Sequence, residues 1–329
     1  MTKIAIIGGG LSGLTLASLL KAKADITLFE KARGVGGRMA TRRTDLYAFD
    51  HGAQYFTART SAFQAFLNPL IAQGLITRWT PHTAIFEGDK MTALKNWADD
   101  EPRYVANPGM NALVKYMADD FNVILNTRIT GLARKQHWFL HDENGGTHGA
   151  FDWVIFTQPA PQTAELIPPD FKQRDLIQST TMRPCFSLML GLSKPLSLPF
   201  QAAFINNADL SWLALNATKP ARDAQAPTVL VHSSAAYAAA QTDADRAAVT
   251  THLLALTTKY VALDVQDITH QLLHFWRYAQ NATPCALGFL SDDDLNIGVC
   301  GDWLCGGRVE GAYTSAFHLA HHLTPFLTA

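Results

Sequence analysis

The stretch Ile4-Ala5-Ile6-Ile7-Gly8-Gly9-Gly10-Leu11-Ser12-Gly13 decides the fold. Ile4–Ile7 is a short apolar run of the kind a strand buried on both faces requires. Gly8 permits a tight turn, Gly10 lets the backbone approach a pyrophosphate, and Gly13 lets a following helix pack closely on the strand. Leu14, Leu16, Ala17, Leu19 and Leu20 supply that helix's apolar face. Its free N–H groups and dipole favour phosphate charge. A second apolar run, Ile26–Phe29, ends at Glu30, seventeen residues after Gly13. That is near the spacing of a carboxylate that accepts from ribose hydroxyls. Strand, glycine turn, helix, strand and acid together read as a dinucleotide site. A second glycine loop, Gly34-Val35-Gly36-Gly37-Arg38-Met39, follows at once. It separates a bound flavin from a diffusing nicotinamide, and it presents a guanidinium suited to a pyrophosphate.

The chain has 329 residues, 48% hydrophobic and 17% charged, with a formal charge of −1. That length supports a large core or two domains. The balanced charge gives no electrostatic case for nucleic acid or an anionic membrane. No segment approaches the roughly 20 apolar residues of a membrane span. The strand-like start lacks a signal peptide's basic region and cleavage site, so the expectation is a soluble, cytoplasmic protein. Cys185, Cys285, Cys300 and Cys305 form no CxxC pair and read as small residues in a reducing compartment. No metal site is expected. His321-His322 reads as helix surface.

Along the chain, residues 3–30 read strand–helix–strand. Residues 61–76 read as a helix, with Phe63, Phe66, Leu67, Leu70 and Ile71 at helical spacing. Ala84–Phe86 is a short strand, and Met110–Phe121 a helix after the turn Asn107-Pro108-Gly109. Val123–Leu125, Ile129–Leu132 and Trp138–Leu140 read as strands before a turn at Glu143–Gly146. Trp153–Thr157 is an apolar run that stops at Pro159. A three-stranded insert followed by a return to a parallel sheet suits this order. Ser187–Leu192, Ala203–Ile205, Trp212–Leu215 and Thr228–Ser233 then read as strands, Asp243–Tyr260 as a long helix, and Asp267–Tyr278 as containing another strand. Ile297–Asp302 ends a last strand before the helix Ala312–Leu323. The expected division is a discontinuous cofactor domain, 1–60, 105–165 and 291–329, and a mixed-sheet domain, 61–104 and 166–290.

Two further segments carry chemistry. In Gly301-Asp302 followed by Arg308-Val309-Glu310-Gly311-Ala312, a strand-end carboxylate can accept from a ribityl chain or ribose, and Gly311 permits close approach to a flat ring. The nearby helix start favours negative charge on that ring. In Asp50-His51-Gly52-Ala53-Gln54-Tyr55-Phe56-Thr57, the small residues leave room for a cofactor and the others offer polar and aromatic walls.

With these residues quoted, the chain resembles the renalase-like branch of the flavin amine oxidase superfamily. The resemblance rests on Gly8–Gly13, Glu30, Arg33–Thr41, Gly52–Arg59, Pro108-Gly109-Met110, Trp276-Arg277-Tyr278-Ala279, Cys300–Trp303 and Gly307–Ala312, and so runs from end to end. It implies an α/β fold: a FAD/NAD(P)-binding Rossmann-like domain of p-hydroxybenzoate-hydroxylase/amine-oxidase type with an inserted α+β mixed-sheet substrate domain. It implies non-covalent FAD, with Gly8, Gly10, Leu11, Ser12, Gly13, Gly37, Arg38 and Met39 around the pyrophosphate. Glu30 would hold the adenosine ribose, Ile129 would contact adenine through its backbone, and Lys31 is a further expected cofactor-binding residue. Asp302, Arg308, Val309, Glu310, Gly311 and Ala312 would flank the ribityl chain and flavin ring. The implied reaction is oxidation of 2- or 6-dihydro isomers of NAD(P)H by hydride transfer to flavin N5. It yields NAD(P)+ and, with O2, hydrogen peroxide. Gln54, Tyr55, Trp276, Tyr278 and His51 are the expected substrate-pocket residues. The expected partners are a small dinucleotide substrate and O2, on a monomer or weak homodimer. Two departures stand out: Phe156-Thr157-Gln158-Pro159 replaces an Ala-Thr-Pro-like turn, and His51 replaces an apolar residue.

Two alternatives stay open, an amine oxidase and a non-catalytic flavin-binding redox module. An amine oxidase often uses a lysine linked through water to N5. Lys172, Lys194, Lys219 and Lys259 all read as loop or helix-surface residues, which weighs against it.

Overall fold

The computed structural model describes residues 1–99, 101–283 and 285–327. It divides into two compact units: Met1–Met39, Leu113–Met182 and Gln280–Ala329 form the first, and Ala40–Ala112 with Arg183–Ala279 the second.

The first unit is built on a six-stranded sheet, in the order Leu290–Asp292, Ile297–Val299, Trp153–Phe156, Thr2–Ile7, Ala24–Phe29, Asn122–Ile124. All its pairs are parallel except the antiparallel pair of Leu290–Asp292 with Ile297–Val299 at one edge. Trp153–Phe156 is buried at every residue and Thr2–Ile7 at its last four, as a sheet covered on both faces demands. The helices Leu11–Leu20 and Val309–Leu323 pack in this unit. Val154, Phe156, Ile297, Val299 and Trp303 belong to a core that also takes in Trp138 and Leu140. Those two come from an antiparallel meander of Ile129–Arg134, Trp138–Asp142 and Thr147–Phe151. The meander's third strand reads Thr-His-Gly-Ala-Phe, which has no apolar alternation to announce it. Asn122–Ile124 instead joins the parallel sheet beside Thr27–Phe29.

The second unit carries a seven-stranded sheet, in the order Ile268–Asn281, Met182–Leu192, Thr228–Ser233, Leu210–Leu215, Ala202–Asn206, His82–Glu87, Lys90–Asn96. Ala202–Asn206 pairs parallel with His82–Glu87, whereas Ser187–Gly191 and Leu210–Leu215 pair antiparallel with Thr228–Ser233, so the sheet is mixed. Alternation sorts its two faces. Phe186, Leu188, Leu190, Val229 and Val231 pack with Val249, Leu253 and Tyr260 of the helix Arg246–Tyr260. Met189 and Leu230, one residue out of phase, pack instead with Tyr47 and Phe49. The helix starts where Asp245 caps it, its Oδ2 accepting from Ala248 N at 2.9 Å.

The helix expected over Met110–Phe121 spans only Ala112–Ala118. Met110 N donates to Asp50 Oδ1 at 2.9 Å and Asn111 N to Thr41 Oγ1 at 3.3 Å, just ahead of its first turn. The unit boundaries also depart from the expected division. Residues 40–60 and 105–112 cluster with the second unit, and 166–182 and 280–290 with the first. Ala48–Asp50 forms a ribbon with Thr41–Arg43, and Tyr47 Oη donates to Leu192 O at 3.1 Å. These contacts hold the ribbon to the mixed sheet.

Candidate functional site

In the first unit, the glycine turn is shaped by what surrounds it. Gly8 has φ +118°, and a Cβ there would come 2.5 Å from Thr157 Oγ1. Thr157 in turn bonds Ile7 O and Gly8 O at 3.1 and 3.0 Å. Trp303 Nε1 donates to Gln158 O at 3.2 Å. The unusual Thr157-Gln158 turn thus braces the glycine loop. A Cβ on Gly13 would meet Gly8 O at 2.2 Å, so helix and loop touch there. A Cβ on Gly10 or Gly34 would meet nothing within 4 Å, so both loops are open where a ligand's phosphates would come closest.

The polar groups around this opening fit a dinucleotide. Gly10 stands at the N-cap of Leu11–Leu20 with no side-chain cap and no acid in the first turn. Arg308 is the N-cap of Val309–Leu323, again without a side-chain cap. The two helix starts adjoin, because Ser12 Oγ donates to Ala312 O at 2.9 Å. Glu30 is buried and accepts from Gly9 N and Ala32 N, both at 2.8 Å. A carboxylate has about four lone-pair sites, so these bonds leave room for ribose hydroxyls. Arg38 forks onto Asp302, Nη1 to Oδ2 at 2.9 Å and Nη2 to Oδ1 at 2.5 Å. The sequence assigns these two to different parts of the cofactor, and the structure joins them to each other. Leu11, Met39 and Ile129 are buried, whereas Lys31 and Arg308 are exposed. Gly37 and Met39 lie in the short helical turn Gly37–Met39. Glu310 and Gly311 are buried in the first turn of the C-terminal helix, beside partly buried Val309 and Ala312. A Cβ on Gly311 would meet Cys305 O at 2.3 Å.

The second unit gathers most of the expected pocket residues. His51 stacks on Trp276, with ring centroids 5.1 Å apart, and meets His274 edge-on at 4.9 Å. Its carbonyl accepts from Trp276 Nε1 at 2.8 Å and faces His232 Nε2 at 3.2 Å. His274, Trp276 and Tyr278 alternate along Ile268–Asn281 and so share a face. Burial pushes His51 down to about 3, reinforced by His274, Arg42 and His232 against the pull of the Phe49 backbone. Burial also takes His232 to about 4, and burial with Arg42 lowers His274. These imidazoles are therefore neutral at neutral pH, with the guanidinium of Arg42 as a charge acting on His51 and His274. Tyr55 packs on Trp97 and Trp212 at 4.8 and 5.8 Å, and burial raises its hydroxyl pKa.

Gln54, an expected pocket residue, has its amide bonded within the protein. Its Nε2 donates to Asp50 O at 2.5 Å and Gly52 O at 3.0 Å. Its Oε1 accepts from Trp212 Nε1 and Lys219 Nζ, both at 3.2 Å. Both ends of the amide are committed within the protein. Lys219 corrects an expectation. It is no surface lysine: its side chain is 0% exposed and lies 3.5 Å from Asp50 Oδ2. Arg222 reaches the same oxygen through Nη2 at 2.7 Å. Burial alone would raise Asp50, but Lys219 and Arg222 overcome it and hold the carboxyl at about 2. Burial takes Lys219 down to about 8 against the pull of Asp50. Sequence reasoning missed Lys219 and Arg222 because their partner is 169 and 172 positions away. The local signal was two cations three apart around Pro220, straight after the apolar strand Leu210–Leu215.

The parallel sheet, glycine turn, buried Glu30 and paired helix starts define a Rossmann-type dinucleotide-binding fold. Residues 6–70 match the model of the NAD(P)-binding Rossmann-like domain, and residues 82–323 match that of flavin containing amine oxidoreductases. The chain belongs to the flavin containing amine oxidoreductase family. Mouse (Mus musculus) renalase is 30% identical over 178 residues, which span 50% of this chain and 49% of renalase. Coproporphyrinogen III oxidase of Staphylococcus aureus is 31% identical over 96 residues, 28% of this chain and 21% of that one. The matched part therefore covers at most about half of these relatives. A provisionally named protoporphyrinogen oxidase from Exiguobacterium sp. 255-15 shares the fold with TM-score 0.79 at 12% identity, over 99% of each chain. Putrescine oxidase shares it with TM-score 0.72 at 13% identity, over 98% of this chain and 99% of that one. No helix among the described residues is long and apolar enough to cross a membrane.

Proposed function

We propose that this chain oxidises 2- or 6-dihydro isomers of NAD(P)H to NAD(P)+, with FAD held without a covalent bond and O2 as the second substrate. The observation that carries this reading is the aromatic cluster of His51, His274 and Trp276, in which His51 stacks on Trp276 and His274 meets both rings edge-on. A dihydropyridine needs little from a protein, because aromatisation drives hydride loss. As hydride leaves, the ring becomes a pyridinium cation. Imidazolium groups beside it would add to the opposition from Arg42, and depressed pKa values keep these histidines neutral. Trp276 offers a face for stacking. The first unit's open glycine loops, Glu30 and the Arg38–Asp302 pair support FAD as the flavin. When bound, FAD supplies the hydride acceptor and passes the electrons on to O2, with hydrogen peroxide as product.

Amine oxidation is the second reading, favoured by the family model over residues 82–323. Within the second unit, the buried Lys219 is bonded to Asp50 and Gln54, which uses two of its three donors. Anaerobic mixing separates the two. Rapid bleaching of the flavin by 2-dihydro-NAD, and not by putrescine or other amines, is the expected result. Bleaching by amines alone would replace the first reading with the second. Acid precipitation should release all flavin to the supernatant, and flavin kept in the pellet would overturn non-covalent binding.

A further inference from the structure

We propose that Lys219 is a positioning residue: with Asp50 and Arg222 it fixes the Gln54 amide, and through it the Asp50–Tyr55 segment that carries His51. The segment is gripped at successive carbonyls. Ala48 O accepts from Asn216 Nδ2 at 3.1 Å, and Asp50 O and Gly52 O accept from Gln54 Nε2. His51 O accepts from Trp276 Nε1. Only a correctly oriented Gln54 amide can make its two bonds. That orientation is imposed at the other end, where Lys219 Nζ and Trp212 Nε1 both donate to Oε1. A flipped amide would aim NH2 at two donors.

The turn that delivers Lys219 is built for the task. Asn216–Thr218 forms one helical turn after Leu210–Leu215, with Thr218 Oγ1 on Leu215 O at 2.6 Å. Ala221 then adopts φ +58°, and Arg222 Nη1 donates to Ala106 O and Pro220 O at 2.7 Å each. Both cations thereby face inward. The charged and aromatic groups around Lys219 are Asp50, Arg222, His232 and the ring of Trp79, whose centroid is 5.4 Å from Nζ. Two buried cations face one carboxylate, so Lys219 is the member able to shed its proton; Arg222 stays charged. Loss of that proton weakens the hold on Asp50 and Gln54.

The inference goes beyond the substrate reading and does not depend on which donor reduces the flavin. Its test compares wild-type holoprotein with Lys219→Met, Lys219→Arg and Gln54→Leu. The first readout is anaerobic flavin reduction by 2-dihydro-NAD from pH 6 to 9.5, separated into limiting rate and half-saturating concentration. Misplacement of a reacting group by about 1 Å costs on the order of 100-fold. The expected result is a limiting rate at least about tenfold lower in Lys219→Met and Gln54→Leu, with half-saturation nearly unchanged. The wild-type change near pH 8 should vanish in Lys219→Met, and Lys219→Arg should recover part of the rate. The second readout needs no substrate: the imidazole NMR signals of His51 should move in both variants and return in Lys219→Arg. Unchanged His51 signals in folded Lys219→Met, or in Gln54→Leu if the former does not fold, would overturn the proposal. Wild-type protein inert to 2-dihydro-NAD would overturn the substrate reading instead, and the NMR arm would still decide this one.

Discussion

Arg38 and Asp302 lie 264 positions apart and form a two-pronged ion pair in the first unit. The pair ties the second glycine loop to the last strand–helix turn. Both side chains are polar groups that a pyrophosphate and a ribityl chain would use. Arg38→Met should therefore affect flavin retention more than chain stability. A hydrogen bond to a charged group contributes about 1.5–3 kcal/mol, so the dissociation constant for FAD should rise about 10- to 100-fold. Arg38→Lys should restore little of it, because an ammonium cannot reproduce the fork. Titration of apoprotein with FAD, read by flavin fluorescence, checks this. Wild-type affinity in Arg38→Met would remove Arg38 from the cofactor's partners.

Gly10 and Gly13 stand three residues apart and should respond oppositely to the same substitution. A Cβ at Gly13 would sit 2.2 Å from Gly8 O, a backbone atom with no freedom to yield. The better helix propensity of alanine offsets only about 1 kcal/mol, and overpacking of this kind costs about 1–3 kcal/mol. Gly13→Ala should lower the unfolding midpoint of the apoprotein. A Cβ at Gly10 meets nothing within 4 Å, and Gly10 already has ordinary φ −85°. Gly10→Ala should change apoprotein stability by under about 1 kcal/mol, yet reduce flavin content, because its methyl fills the opening. Equal loss of stability in the two would contradict this.

These contrasts mark how far the sequence could be read. Ile4–Gly13, Ile26–Glu30 and Trp153–Phe156 announce themselves through local patterns: apolar runs broken by glycine or proline. Local pattern likewise located Thr228–Ser233 and the body of Arg246–Tyr260. What stayed hidden depends on distant partners. The strand Thr147–Phe151 has almost no apolar alternation and is defined by its pairing to Trp138–His141. Lys219 looks like a loop cation until Asp50 is placed beside it. Gln54 looks like a pocket donor until its amide is seen bonded at both ends. Burial of a charge is a tertiary fact, and no window of neighbouring residues carries it.

Asp50 is the carboxylate that Lys219 and Arg222 share, and its removal should be among the most damaging single changes in the second unit. Asp50→Asn keeps an oxygen for Thr41 and Met110 but leaves two buried cations without an anion. Breaking a buried pair in this way costs about 3–5 kcal/mol. Asp50→Asn with Lys219→Met should recover part of the loss, since one uncompensated charge leaves with the lysine. Urea unfolding of the two singles and the double measures the coupling. Strict additivity would show that the two side chains act independently.

The buried histidines set the acid limb of stability. His51 at about 3 and His232 at about 4 lie below the ordinary value of 6.5. A depressed value means the unfolded chain takes up its protons first as pH falls. The stabilisation is therefore complete above pH 6.5 and is lost as pH falls toward 4 and 3. Each histidine should contribute a slope of about 1.4 kcal/mol per pH unit within its window. Asp50, at about 2 against 3.8, adds to the loss only below pH 3.8. Unfolding free energy measured from pH 7.5 to 4.5 should thus fall well before the carboxylates titrate. His51→Gln should remove about one proton's share of that slope while leaving the His232 share. A slope unchanged by His51→Gln would mean that His51 is protonated as readily in the fold as in the unfolded chain.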